Sequence, residues 1–379
     1  MTKSTDILKS RVRTCKVDMP EQLLCPPYAL RDEMSWIDFS GTENALGTPT
    51  SFIEAMQEGL ASGIMAYAPD REAHTLRSVL ARIHGLTVDH YLVGSTISNM
   101  ITAVAQTFNP CTVGLSLPCP AEIPLAVTNA GHTIAGITSS AGFVTPDAIN
   151  IAERDIHIDA AVLGNPSYPT SRLLPKSTLK TYLEACDWVI VDERSIEFTL
   201  GGESMVPLVR DYPNLIVVQS FTEQYALAGA PISYCVAQPE TIAQIASFFD
   251  NSCVSMFSEV LAEASMAEHA KLESVREFLD SEIPWLQCML SLIPGITIFP
   301  AEANYVLCSY NTREDMRLGV ANVEELCARL QLAGFLVHKL SNTPGLKQNG
   351  YFCVSVRTRA ENEKLIAAMR KIICPNHID

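Results

Sequence analysis

No stretch of about 18 consecutive apolar residues, the length that reads as a membrane-crossing helix, occurs in this 379-residue chain. The segment from Met1 to Met19 mixes charged with polar residues and has no apolar centre, so it does not read as a secretory signal. Positive charge is scarce: 27 lysines and arginines stand against 42 aspartates and glutamates, a net charge of −15. That balance argues against a nucleic-acid groove or an anionic membrane surface, and leaves soluble partners and small molecules. Paired cysteines are missing too. The twelve cysteines are scattered without a C-x-x-C pair, which fits reduced thiols in a cytoplasmic protein and excludes a disulfide framework or a structural zinc site. Finally, no lysine occurs between Lys180 and Lys271.

What is present can build large cores. Apolar residues make up 47% of the chain and charged residues 18%, a globular composition, and the length exceeds what one core fills, so two domains are expected. Short apolar runs such as Thr112–Leu117, Ala160–Leu163, Trp188–Val191 and Leu215–Gln219 alternate with helical spacing. This alternation predicts an α/β fold with a parallel sheet and crossover helices. From about Thr241 to Leu292 the pattern turns helical, and four further apolar runs then predict a smaller α/β domain. The expected division is an N-terminal arm over 1–44, a large domain over 45–250, and a C-terminal small domain with its connecting helix over 251–379.

Four motifs in order carry a resemblance. Trp36-Ile-Asp-Phe-Ser-Gly-Thr-Glu-Asn-Ala-Leu-Gly47 resembles I/L-D-F-S-x-x-x-N-P-L-G. Asn165-Pro-Ser-Tyr-Pro-Thr-Ser-Arg-Leu-Leu-Pro175 resembles N-P-N-N-P-T-G-R-L-L-P. Val191-Asp-Glu-Arg-Ser-Ile-Glu-Phe198 resembles V-D-E-A-Y/F-I-D-F, and Tyr351-Phe-Cys-Val-Ser-Val-Arg-Thr-Arg359 resembles Y-I/F-R-V-A-V-K/R-T-R. These are motifs of the fold-type I pyridoxal-phosphate-dependent aminotransferases, in the branch of threonine-phosphate decarboxylase and histidinol-phosphate aminotransferase. The resemblance implies a seven-stranded, mostly parallel large domain, a small domain, and a homodimer with clefts at the subunit interface.

Within that resemblance the cofactor loop is Ser220-Phe-Thr-Glu-Gln-Tyr-Ala-Leu-Ala-Gly-Ala-Pro-Ile-Ser-Tyr234, similar to S-x-T/S-K-x-Y/F-x-L-x-G-x-R-x-G-Y. The Schiff-base lysine position is then Glu223, which cannot form an imine. The phosphate arginine falls at Pro231, which offers no donor. Asp192 matches the aspartate that pairs with the pyridine nitrogen. The asparagine beside the cofactor's phenolic oxygen falls at Tyr168, and two substrate-gripping arginines fall at Cys353 and His338. Ser95, Thr96, Ser220 and Thr222 complete a vestigial cleft. Tyr67 is similar to a phosphate-binding tyrosine reaching from the other subunit, and Tyr225 is family-like.

Each residue has a sharp and a plain reading. Glu223 and Asp192 are the candidate catalytic pair, Glu223 as a general acid or base with a pKa raised by desolvation and a like charge; the plain reading is a partly solvated glutamate in a dead cleft, or one paired with a basic neighbour, and a structural aspartate. Cys353 is either a nucleophile or a small core residue, and His338 either a base or a structural histidine. Tyr67, Tyr225, His338 and Cys353 are the candidate substrate contacts.

Three functions follow as expectations. One is a repurposed enzyme doing cofactor-independent acid–base chemistry on a small metabolite. Another is a non-catalytic pseudoenzyme that binds a ligand or partner. The third holds pyridoxal or pyridoxamine phosphate without a covalent link, no covalent cofactor being expected. The sequence reading leans to the first, because the rest of the chain is well kept, its turns, strands and caps intact; a repurposed enzyme should keep a closed polar pocket, whereas a non-catalytic one can fill it with side chains.

Overall fold

The computed structural model describes residues 36–138, 142–148, 150, 157–250, 254–269, 272–311, 318–346 and 350–375. Most of the expected N-terminal arm, residues 1–35, lies outside them. The chain begins with β1 (Ile37–Phe39), α1 (Thr50–Ala61), α2 (His74–His84), β2 (Tyr91–Gly94), α3 (Ile97–Thr107), β3 (Thr112–Leu117), α4 (Glu122–Asn129) and β4 (Thr133–Thr138). It continues through β5 (Ala160–Gly164), α5 (Lys176–Ala185), β6 (Trp188–Asp192), β7 (Leu215–Ser220), α6 (Phe221–Gln224), β8 (Ser233–Val236) and α7 (Pro239–Ala246). Then follow α8 (Phe257–His269), α9 (Leu272–Ser291), β9 (Ile296–Ile298), β10 (Tyr305–Tyr310), α10 (Val323–Leu332), β11 (Phe335–Lys339), β12 (Tyr351–Ser355) and α11 (Arg359–Ile373).

The large domain is built on a seven-stranded sheet in the order β2-β8-β7-β6-β5-β3-β4. Only β8 runs antiparallel to its neighbours β2 and β7. A mostly parallel sheet must be covered on both faces, so its central strands are continuous apolar runs. In β6 the alternation of side chains sends Val189 and Val191 into one core and Trp188 and Ile190 into the other. The strand ends at its carboxyl edge on Asp192, and this edge, where β3, β5, β6 and β7 all finish, is where open α/β sheets place their ligands.

The small domain carries a five-stranded sheet, β1-β11-β12-β10-β9. One face packs on α9, α10 and α11 through Val306, Phe352, Leu326 and Leu365. The other face turns Tyr305, Leu307 and Cys353 towards Tyr168 and Phe143 of the large domain. Two of its helices, α10 and α11, start on side-chain caps: Asn322 accepts from the Glu325 amide at 2.9 Å, and Thr358 with Glu361 forms a capping box. Pro284 lies inside α9.

Two strands differ from the sequence reading. β1, expected in the N-terminal arm, pairs parallel with β11 and belongs to the small-domain sheet. β4 gave no clear signal because it is an edge strand, largely half-exposed, with threonines at both ends and Gly136 within. A three-residue strand and a polar edge strand both lack the periodicity on which such readings depend.

Candidate functional site

The site is assembled at the carboxyl ends of β3, β5, β6 and β7. Gly164 closes β5, and a Cβ there would lie 2.7 Å from the Cα of Ser167. Glycine therefore lets the following loop fold back tightly and present Tyr168 over the sheet edge. Asp192 closes β6 and is 5% exposed. Glu193, next in the chain, turns the other way and is locked in place. It accepts hydrogen bonds from Asn165 Nδ2 (2.9 Å), Ser204 Oγ (2.6 Å), the Met205 amide (2.7 Å) and Gln219 Nε2 (2.8 Å). Burial pushes its carboxyl above the usual range, against those four donors.

Arg194 then folds back over Asp192. Its Nε lies 3.1 and 3.0 Å from the two carboxylate oxygens, and its Nη2 lies 2.7 Å from Oδ2. Its Nη1 donates to Glu122 Oε1, at the start of α4, at 3.0 Å. The Arg194 side chain is 16% exposed and that of Asp192 7%. Burial opposes the guanidinium's charge, but Asp192 and Glu122 hold it protonated, well above its ordinary value.

Glu223 follows from β7. Ser220 caps α6 by accepting from the Thr222 amide at 3.1 Å, Thr222 Oγ1 accepts from the Ile232 amide at 3.1 Å, and the Glu223 carbonyl accepts from the Asn44 amide at 2.9 Å. The turn passes through Ala226 at φ 52°, a left-handed conformation that costs a non-glycine residue energy. Oε2 of Glu223 is enclosed and has no hydrogen-bond partner. Burial raises the Glu223 pKa, Arg194 and Ser220 work against that rise, and Asp192 adds to it.

On the small-domain side, the Tyr168 hydroxyl hydrogen-bonds His338 Nδ1. The two rings stack with centroids 5.8 Å apart, and Tyr168 also packs on Tyr305 at 5.2 Å. Burial lowers the His338 pKa, and burial likewise raises the Tyr168 pKa well above its ordinary value, so both groups are held towards their neutral forms. The enclosed Tyr305 hydroxyl is without a partner.

The structure thus brings together Asp192, Tyr168, His338 and Cys353, with Glu223 within electrostatic reach of Arg194. Cys353 is a buried strand residue opposite His338, and burial pushes its thiol up, away from nucleophilic character. Tyr225 is packing: it lies between Phe52 and Phe221, centroids 4.6 and 5.2 Å away, and its hydroxyl accepts from Gln224 at 2.9 Å. Ser95 and Thr96 serve the start of α3, where both hydroxyls accept from Asn99 at 3.3 Å. Tyr67 points outward, 73% exposed. The sequence reading missed Arg194 and Glu122. The first was legible as an arginine where the motif V-D-E-A has its alanine; Glu122 lies in no motif.

The cavity left among these groups has a volume of about 10 Å³ and is lined by Ser116, Cys119, Gly164, Tyr168 and Asp192 among others. Such a space holds about one water. Among the described residues no group of three histidine, cysteine or acidic side chains could hold a metal, and no helix is long and apolar enough to cross a membrane.

The model of the aminotransferase class I and II family matches residues 35–369. The chain belongs to that family. Threonine-phosphate decarboxylase of Salmonella typhimurium is 27% identical over 344 residues, 89% of this chain and 91% of the relative. Among solved structures, histidinol-phosphate aminotransferase from Clostridium acetobutylicum superposes with a TM-score of 0.79 at 22% identity, over 89% of this chain and 98% of that one. The enzyme of the same name from Sinorhizobium meliloti, solved in complex with pyridoxal-5′-phosphate, gives 0.76 at 18% identity, over 98% of both chains. At these identities the structures speak to the fold.

Membership makes pyridoxal phosphate the group to test against this site. As folded, the site does not fit it. Glu223 has no amine, Pro231 has no side-chain donor, and the carboxylate of Asp192 is already held by a guanidinium.

Proposed function

We propose that this chain is a non-catalytic member of the aminotransferase class I and II family, whose former coenzyme cleft is filled by its own side chains and which acts by binding a partner or ligand elsewhere. The observation that carries this reading is the two-pronged grip of Arg194 on Asp192, Nε on Oδ1 and Nη2 on Oδ2. An acid–base enzyme would need Glu223 and Asp192 free towards a substrate. Here Asp192 is paired with Arg194, the free oxygen of Glu223 is enclosed, and the cavity beside Asp192 takes about one water. That geometry favours the pseudoenzyme over the repurposed enzyme to which the sequence reading leans, and over noncovalent retention of pyridoxal or pyridoxamine phosphate.

A homodimer belongs to this proposal. The side chains of Ile53, Leu60, Met65 and Tyr67, all at least 45% exposed along α1 and the turn after it, supply apolar area for such contact.

The test is a titration of the purified protein with pyridoxal and pyridoxamine phosphate, following visible absorbance and melting temperature together. The proposal expects no bound chromophore and no stabilisation. A saturable spectrum with a raised melting temperature contradicts it and returns the chain to coenzyme chemistry.

A further inference from the structure

We infer that Asp192 and Glu122 form a receptor for a planar cation, and that the side chain of Arg194 is its resident ligand, an internal plug of the cleft. The inference rests on the non-catalytic reading above. It adds what the site recognises and what fills it.

Three observations point this way. First, the contact has the geometry of recognition, not of a stray surface pair. Nε of Arg194 reaches Oδ1 of Asp192 at 3.1 Å and Nη2 reaches Oδ2 at 2.7 Å, while Nη1 reaches Glu122 at 3.0 Å. A flat guanidinium offers parallel donors that a carboxylate accepts in pairs, which a compact ammonium cannot do. Second, the two carboxylates come from separate parts of the fold, Asp192 at the end of β6 and Glu122 at the start of α4. They converge at the sheet edge where α/β folds bind ligands. Third, the charges at the spot need a cation. Two carboxylates face one guanidinium, and the buried Glu223 adds a third acid within electrostatic reach. Without Arg194, Asp192 and Glu122 would be left with no counter-charge from each other. For Asp192, whose side chain is 7% exposed, such stranding is strongly unfavourable.

The plug and the coenzyme are alternatives at one place. A protonated pyridine ring is also a planar cation, and Arg194 holds the carboxylate it would need. On this account Arg194 excludes the coenzyme ring independently of the change at Glu223.

The test uses the full chain with Arg194→Ala, with Arg194→Lys as a control, melted in the presence of ethylguanidinium or ethylammonium chloride at millimolar concentration and equal ionic strength. The expected results are a melting temperature roughly 5–10 °C below wild type for Arg194→Ala, a saturable recovery with ethylguanidinium, and little recovery with ethylammonium. Arg194→Lys should melt below wild type and respond to neither cation. An Arg194→Ala protein that melts like wild type, or that is destabilised and indifferent to ethylguanidinium, overturns the inference. Equal rescue by both cations also overturns it, because it would mark a generic charge deficit and not a planar site. Should Arg194→Ala not fold, Glu122→Ala/Arg194→Ala, which leaves only Asp192 stranded, carries the same comparison. These outcomes are separable from the reading above: coenzyme binding by wild-type protein tests that reading, and rescue of the variant by ethylguanidinium tests the plug.

Discussion

The hydroxyl of Tyr168, from the loop after β5, meets Nδ1 of His338 in β11, so one hydrogen bond ties the large sheet to the small one across the cleft. The motif resemblance puts these two side chains where a cofactor contact and a substrate contact would be. In this chain they satisfy each other.

Removing the hydroxyl tests how much that tie contributes. Tyr168→Phe keeps the ring stacking on Tyr305 and His338 but leaves Nδ1 without its hydroxyl partner. The expected cost is about 1 kcal/mol in urea unfolding, as for a neutral hydrogen bond. The pH dependence has a definite sign. Because burial holds the folded His338 below its ordinary 6.5, the unfolded chain takes up that proton first. This contribution is therefore present above pH 6.5 and lost as the pH falls below it.

Glu223 titrates with the opposite consequence. Its folded pKa is raised from 4.5, mainly by burial, so the folded chain holds the proton more tightly than the unfolded one. The resulting stabilisation is complete below pH 4.5 and is lost as the pH rises through the folded value. Glu223→Gln, neutral at every pH, should therefore melt above wild type at pH 7 to 8, with the gain fading towards pH 4.5. Calorimetry across that range checks it. A variant less stable than wild type at pH 8 would show instead that the attraction of Arg194 outweighs burial.

Glu193 is predicted to matter more for folding than either. It accepts from Asn165, Ser204, Met205 and Gln219, which join β6 to its neighbours. Glu193→Ala strands several buried donors at once and should cost about 3 kcal/mol or more in chemical denaturation. Glu193→Gln can keep part of the network and should cost less.

Restoring the amine alone is not expected to restore coenzyme binding. Glu223→Lys would put a lysine beside Arg194, two buried cations near one another, with Asp192 still occupied. Visible absorbance after incubation with pyridoxal phosphate should stay at the wild-type level. Arg194→Ala/Glu223→Lys, with the plug removed, should gain a bound chromophore. A chromophore in Glu223→Lys alone would mean that the cleft is open enough without removing Arg194.

Much of the fold was legible because it rests on long apolar runs. β3 falls where the sequence reading places it, and β5, β6 and β7 each extend one residue further. Such runs are dictated by burial on both faces of a parallel sheet. β1 was not legible as part of the small sheet, since its partner β11 lies almost the whole chain away and three residues carry no period. The site was harder for a different reason. The motifs located Asp192, Tyr168, His338 and Glu223, but motifs read positions and not which side chains turn towards one another. That Glu193 faces the interior and Arg194 bends back onto Asp192 depends on three-dimensional geometry with no spacing rule, and Glu122 enters from α4 through tertiary packing alone.

The central claim is that Arg194 and not a coenzyme occupies Asp192. The most direct measurement is a crystal structure of the protein grown in saturating pyridoxal phosphate. The account predicts the Arg194 guanidinium lying on both oxygens of Asp192, with no coenzyme density at the ends of β5, β6 and β7. Density for the coenzyme ring against Asp192, with Arg194 swung away, would contradict it.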